Sequence, residues 1–96
     1  MKTYELKFLE SALKEWKRLD ATVREQMKKK LAERLERPHV ASARLRDLPD
    51  CYKIKLVALG YRLVYRVIDN ELVVIVVAVG KREASEVYRS AQKRIA

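Results

Sequence analysis

The run of residues 72–79, in which every side chain is apolar, restricts the fold more than any other feature. Its branched side chains favour a β-strand. A strand that is apolar on both faces has to lie inside a sheet and be covered on both sides. Two more strands are predicted before it, at residues 52–56 and 61–68, with turns near Gly60 and at residues 69–70. The sequence therefore predicts an antiparallel meander whose last strand is interior.

The N-terminal part of the chain supplies a fourth strand and two helices. Residues 3–8 alternate polar and apolar side chains, so they are expected to pair with the free edge of strand 72–79. Helical spacing begins near residue 10 and includes Trp16, which we expect in the core. A second helix is predicted to begin with a capping box formed by Thr22 and Glu25 and to end near residue 37, before Pro38.

A thin apolar stripe predicts a short terminal helix near residues 84–94, weakly docked on the sheet. Residues 1–96 are thus expected to form one α+β domain, with elements in the order β-α-α-β-β-β-α. The expected sheet has four strands and is mainly antiparallel, with an N-terminal helical hairpin packed on it and strand 52–56 at one edge.

The charge pattern points to an anionic partner. The chain carries 22 Lys+Arg and 13 Asp+Glu, a formal net charge of +9. On the predicted meander, Lys53, Lys55 and Arg62 project to one side, and the turn at Gly60 places Lys55 opposite Arg62 and Lys53 opposite Val64. Opposed cations are unfavourable unless an anion lies between them. A phosphate-binding face and a solvated face with splayed side chains both fit this pattern.

Further cations lie outside the meander. Candidate contacts to RNA are Lys28, Lys29, Lys30, Arg44, Arg46 and Lys81. For the three consecutive lysines, a solvated helix face explains the pattern equally well.

Several kinds of chemistry are not expected. A single histidine, His39, and a single cysteine, Cys51, cannot build a metal site, so no metal or other cofactor is predicted. We expect His39 at the surface and Cys51 as a buried thiol. The N-terminus lacks an apolar signal core and residues 72–79 are too short to span a membrane, so a cytoplasmic protein without membrane contact is expected.

RNA cleavage by its own 2′-hydroxyl suits such a cationic sheet. Arginine and lysine can stabilise the charge that develops on phosphorus. Neighbouring cations would lower the pKa of Lys55 or Tyr88 and so make either a better base. Positioning by a large RNA-holding partner could supply much of the remaining rate.

The chain closely resembles the RelE toxins of bacterial RelBE toxin–antitoxin modules, in the RelE/ParE superfamily, over essentially its whole length. The resemblance rests on segments 23–26, 48–56, 60–65, 79–82 and 85–88, which read VREQ, LPDCYKIKL, GYRLVY, VGKR and SEVY. One departure is Asp47, where relatives often have glycine, which bears on the geometry of the local turn.

The resemblance implies a microbial-RNase-like fold and a ribosome-dependent, metal-independent endoribonuclease. Such an enzyme cleaves mRNA in the A site of the 30S subunit, against 16S rRNA, and so inhibits translation. The implied partners are a RelB-like antitoxin and, only through the toxin–antitoxin complex, the operator DNA of its own operon.

The resemblance also implies roles for five residues. Lys53 and Lys55 would hold and activate the RNA, Arg62 would stabilise the phosphorane, and Arg82 would act on the leaving oxygen or phosphate. Tyr88 would stack on or orient the attacked nucleotide; either Lys55 or Tyr88 would serve as base.

Two other functions also fit the sequence. The chain could be a non-catalytic basic nucleic-acid-binding module, or a toxin of the same fold directed at gyrase. Because a gyrase-directed relative need not keep all five of these residues together, their joint presence favours the nuclease. A further hypothesis is that the antitoxin inhibits partly by displacing the weakly docked terminal helix, which carries Tyr88.

Overall fold

The computed structural model describes residues 3–81 and 86–95. Their elements follow the predicted order β-α-α-β-β-β-α. They are β1 (Glu5–Phe8), α1 (Glu10–Lys17), α2 (Ala21–Glu36), β2 (Cys51–Leu56), β3 (Tyr61–Ile68), β4 (Val73–Lys81) and α3 (Glu86–Ile95). Two short 3-10 turns occur at Ala41–Ala43 and Asp69–Glu71. Within the described ranges, no helix is long and apolar enough to cross a membrane.

The four strands form one sheet in the order β1-β4-β3-β2, as the two-sided apolar strand predicted. β4 is interior, parallel to β1 and antiparallel to β3, and β2 forms an edge. α1 and α2 cover one face, where Trp16, Met27 and Leu31 pack with Tyr65. α3 covers the other face through Val87, so β4 is buried from both sides.

A bulge adapts β4 to these two layers. Val64 lies opposite Ala78, but the next residue, Tyr65, lies opposite Val76, so Val77 is an extra residue in the ladder. Val77 and Ala78 both join Val64 and α3 in the core on that face. The bulge therefore gives α3 an additional apolar contact that strict alternation would not provide.

The predicted cap of α2 was wrong, and the predicted turn after β3 is present with a different left-handed residue. The cap of α2 is Asp20, whose Oδ1 accepts the Val23 N–H at 3.0 Å, because the helix begins at Ala21 and Thr22 already lies in its first turn. In the turn after β3, the left-handed residue is Leu72 (φ 55°), which follows a 3-10 turn over the predicted pair Asp69-Asn70. Gly60 does adopt the expected positive φ, at 71°.

The docking of α3 involves more than its thin apolar stripe. Val87 and Ala91 are buried as predicted. In addition, Arg94 forms a bidentate ion pair with Glu15 of α1, with N···O distances of 2.8 and 3.1 Å. Arg94 also donates to the Val77 carbonyl at 2.8 Å. This ion pair fastens the end of α3 to α1 and β4.

Candidate active site

The cationic face of the sheet has the predicted register. Lys55 lies opposite Arg62, and Lys53 lies opposite Val64. Because Val64 packs in the core beneath α3, this row of side chains is on the α3 side of the sheet. Lys55 is exposed, whereas Lys53 and Arg62 are half-buried. The strands thus hold three cations together on the face that α3 borders.

α3 brings Tyr88 to this row. The guanidinium carbon of Arg62 lies 5.3 Å from the centre of the Tyr88 ring, a cation–π contact. Tyr88 is half-buried and packs against the apolar residues under α3. The face therefore combines three cations with an aromatic ring that leaves part of its surface accessible.

The crowding of the cations changes the acidity of one of them. The positive charge of Lys53 is the main cause that lowers the pKa of Lys55. The positive charge of its cross-strand partner Arg62 is the next cause, and desolvation contributes less. Lys55 therefore releases a proton more readily than an isolated lysine. This is the property required of a lysine that accepts a proton from a hydroxyl group.

Of the other predicted site residues, Arg82 lies outside the described residues. Lys81 ends β4 opposite Tyr61, so its exposed side chain is on the side of α1 and α2, away from Lys55 and Arg62. Arg46 lies in a loop beside Tyr88, and the two residues line a recess of about 360 Å³. The arrangement separates Lys81 from the cationic face and brings Arg46 close to it.

The remaining predicted cations are solvent-facing. Lys28, Lys29 and Lys30 are all exposed on α2, and Lys30 borders a groove that also contains Lys55. Arg44 is exposed, and its backbone bridges to Tyr52 at the free edge of β2. These residues extend the positive surface from the cationic face around the edge of the sheet.

Asp47 does not disturb its turn. Its backbone φ is not positive, and the left-handed residue of this loop is Asp50 (φ 59°). The conformation therefore does not require glycine at position 47.

The single histidine and the single cysteine lie where the sequence predicted, His39 at the surface and Cys51 in the core. His39 is exposed and its Nε2 lies 3.0 Å from a carboxylate oxygen of Asp69. Cys51 is fully buried, and this burial raises the pKa of its thiol to about 11. A thiol with this pKa is a poor nucleophile at neutral pH.

The charge pattern of α2 did not predict the position of Arg34. The many cations of α2 suggest that Arg34 is exposed too, but it is half-buried and contacts both the backbone of β2 and Tyr65. Its spacing provides the missing signal, because it follows the buried residues Met27 and Leu31 by seven and three positions, on the inward side of the helix.

Comparison with known proteins agrees with this fold. The sequence matches the family model for the ParE toxin of type II toxin–antitoxin systems (parDE) over residues 6–85. The chain therefore belongs to the ParE toxin family of type II toxin–antitoxin systems.

Within that family, the chain is similar to proteins called RelE. It is 63% identical over 92 residues to the mRNA interferase toxin RelE of Escherichia coli K12, a match that covers 96% of this chain and 97% of that protein. The structure superposes on a double mutant of E. coli RelE in the free state with a TM-score of 0.90 at 62% identity, covering 98% and 99% of the two chains. The toxin of the intact E. coli RelBE toxin–antitoxin complex gives a TM-score of 0.81 at 61% identity, covering 83% of this chain and 98% of the other.

Proposed function

We propose that this chain is the toxin of a type II toxin–antitoxin pair and acts as a ribosome-dependent mRNA endoribonuclease. The observation that carries the proposal is the single face on which Lys53, Lys55, Arg62 and Tyr88 meet. Such a face suits a phosphodiester and its flanking base. Relatives 63% identical to the chain are called mRNA interferases, which points to the same substrate.

The proposed reaction is attack of a ribose 2′-oxygen on the adjacent phosphorus, with loss of the 5′-oxygen of the next nucleotide. Lys55, with its lowered pKa, is suited to take the 2′-hydroxyl proton. Lys53 and Arg62 stabilise the negative charge that develops on the phosphorane oxygens. Tyr88 offers a ring on which a base can stack, and Arg82 is proposed to assist the leaving oxygen. These steps need no metal ion.

The ribosome is proposed to align the reacting atoms of the RNA, which the small cationic face does not do alone. Cleavage requires the 2′-oxygen, the phosphorus and the leaving oxygen to be in line. Holding these atoms in line lowers the activation barrier by several kcal/mol. We propose that the A site of the 30S subunit bends the codon into this geometry. The exposed basic surface, Lys28, Lys29, Lys30, Arg44, Arg46 and Lys81, is proposed to contact 16S rRNA and mRNA phosphates.

A RelB-like antitoxin is the proposed partner. One similar structure is the intact E. coli RelBE toxin–antitoxin complex, and another is a mutant of E. coli RelE bound to a peptide of the antitoxin RelB. We propose that the antitoxin inhibits this toxin partly by displacing α3, which removes Tyr88 from Arg62. The pair is further proposed to act in the cytoplasm and to repress its own operon, with operator DNA bound only through the complex.

The test is cleavage of mRNA on programmed ribosomes by purified toxin. Wild type is expected to cut the A-site codon, and Arg62→Ala is expected to lose at least on the order of 100-fold in rate, since it removes a donor to the developing charge. Lys17→Ala, an exposed cation of α1 far from this face, is the matched control and should retain activity. Intact codons with wild type, or full activity of Arg62→Ala, would refute the proposal.

The second candidate function is that of a toxin of the same fold directed at gyrase, since the matched family model describes a toxin without naming RNA as its target. A supercoiling assay separates the two functions. Inhibition of gyrase by wild type without any RNA cleavage would establish the second candidate. Ribosome binding with neither activity would establish a non-catalytic binding module.

A further inference from the structure

The side chain of Arg34 connects α2 to the backbone of the strand that carries Lys53 and Lys55. Its Nη1 donates to the Lys53 carbonyl at 3.1 Å and to the Tyr65 Oη at 2.8 Å. Because the side chain is half-buried beneath the sheet, it points away from the exposed lysines of the same helix. Arg34 is therefore part of the scaffold of the cationic face and not of its surface.

Tyr65 makes this connection rigid. Its ring is fully buried and stacks on Tyr52, with the ring centres 5.6 Å apart. The Tyr65 hydroxyl donates to the Pro38 carbonyl at 2.7 Å and accepts from Arg34. Burial is the main cause that raises the pKa of Tyr65, so the hydroxyl keeps the proton that it donates. Arg34 is thus anchored to a side chain that is itself held at both ends.

The Lys53 carbonyl lies on the free edge of β2. Two residues earlier, the Cys51 carbonyl faces the same edge and accepts the Leu45 N–H at 3.0 Å. A carbonyl at this edge has no neighbouring strand, so partners from outside the sheet determine how far it is restrained. The loop at Leu45 holds the edge at Cys51, and Arg34 holds it at Lys53, next to the proposed catalytic segment.

We infer that Arg34 is a positioning residue for RNA cleavage, which holds the Lys53–Lys55 segment of β2 at the spacing that the cationic face requires. This inference rests on the proposed function. Lys55 and Lys53 project from the opposite face of the strand, so Arg34 acts through the backbone and does not touch RNA. The contact also accounts for a stable close approach of like charges, because the strand cannot swing outward to separate them.

The test replaces Arg34 with methionine, which has a similar length but no donor. Single-turnover cleavage on programmed ribosomes is expected to be roughly tenfold or more slower at saturating toxin, because small displacements of reacting groups have large effects on rate. The toxin concentration for half-maximal rate should change by less than about twofold. Tyr65→Phe removes the hydroxyl that anchors Arg34 without altering charge. It should also lower the saturating cleavage rate, but by a smaller factor.

Lys29→Met is the matched control, since it removes the same charge from the exposed side of the same helix. It is expected to raise the half-maximal concentration and weaken its dependence on salt, with the saturating rate preserved. If Arg34→Met shows that behaviour instead, Arg34 contacts RNA and the inference is wrong. The inference is also overturned if Arg34→Met and Tyr65→Phe both keep the wild-type saturating rate while a thermal unfolding measurement shows that each variant is folded.

A measurement on the free toxin separates this inference from the proposed function. The pKa of Lys55, followed by NMR of its side-chain carbon next to nitrogen, should rise toward that of an ordinary lysine in Arg34→Met, because the released segment of β2 swings outward and Lys55 moves away from Arg62 on β3. An unchanged Lys55 pKa refutes positioning even if wild type cuts no RNA. A raised Lys55 pKa with an inactive wild type supports positioning and refutes only the nuclease.

Discussion

The ion pair between Arg94 and Glu15 is expected to set how firmly α3 is docked. Replacing Arg94 with methionine removes two bonds to the Glu15 carboxylate and one to the Val77 carbonyl. The side chains of Arg94 and Glu15 are only 22% and 28% exposed, so solvent screens the pair less than a surface ion pair. Charge-assisted hydrogen bonds contribute about 1.5–3 kcal/mol, and after discounting for partial exposure we take about 2 kcal/mol.

A loss of about 2 kcal/mol corresponds to a shift of roughly 30-fold in the equilibrium between docked and undocked α3. Amide hydrogen exchange should therefore show protection of the α3 amides reduced by roughly that factor in Arg94→Met, with β4 nearly unchanged. If the antitoxin binds only after α3 leaves the sheet, its apparent affinity should increase by up to the same factor, because the competent form becomes more populated.

Lys93→Met is the control for this experiment, since Lys93 is an exposed cation on the same turn of α3. It should change neither exchange nor affinity beyond the loss of one surface charge. Unchanged α3 protection in Arg94→Met would show that the ion pair does not determine docking. Reduced protection with unchanged affinity would show that the antitoxin does not need α3 displaced.

Three further outcomes are expected. Gly60→Ala should destabilise the fold by about 1–2 kcal/mol in chemical denaturation, because an alanine is strained at positive φ. Gly80→Ala is the control, since its new Cβ would meet a Val87 methyl at an ordinary 3.5 Å. Lys55→Met should abolish cleavage yet raise the melting temperature at pH 7. Neighbouring cations lower the Lys55 pKa, so repulsion destabilises the fold while Lys55 is protonated, and this gain should shrink as pH rises through the Lys55 pKa. The Tyr4 hydroxyl, followed by His39, lowers the Asp69 pKa, so Asp69 adds stability above its unfolded pKa that is lost in acid; Asp69→Asn should flatten the stability profile below about pH 4. Equal acid sensitivity of Asp69→Asn and wild type would contradict the last expectation.

The sheet could be predicted from the sequence because its information is local and periodic. A strand apolar on both faces has to be interior, and one glycine in a short turn sets which residues of β2 and β3 are opposite. The pairing of Lys55 with Arg62 followed from these two facts and agrees with the structure.

The contacts that complete the site could not be predicted in the same way. Glu15 and Arg94 are 79 residues apart, and nothing in the neighbourhood of either indicates the other. Arg34 was hidden among other cations of α2, since charge suggests exposure more strongly than its position on the helix suggests burial. The cap at Asp20 lies two residues before the predicted Thr22, and the left-handed Leu72 lies two residues after Asn70, because a sequence pattern locates the end of an element only to within one or two residues.

The roles of Lys53, Lys55, Arg62 and Tyr88 in cleavage remain predictions, because a shared face establishes proximity and not chemistry. The proposed base illustrates this. The geometry provides a physical reason for choosing Lys55, since its pKa is lowered by Lys53 and Arg62. Only the pH dependence of the cleavage rate can identify the group that takes the proton.

The parallel pairing of β1 with β4 has a consequence for the order in which the chain folds. Glu5 lies opposite Val73, 68 positions later (73 − 5), whereas β3 and β4 are joined by a short turn in which Ile68 pairs with Val73. Closing the longer loop costs about 2 kcal/mol more in chain entropy. The meander β2–β3–β4 is therefore expected to form first, and β1 to close the sheet late. Until β1 arrives, β4 presents an apolar, unpaired edge, and the newly made chain is vulnerable to aggregation during that interval.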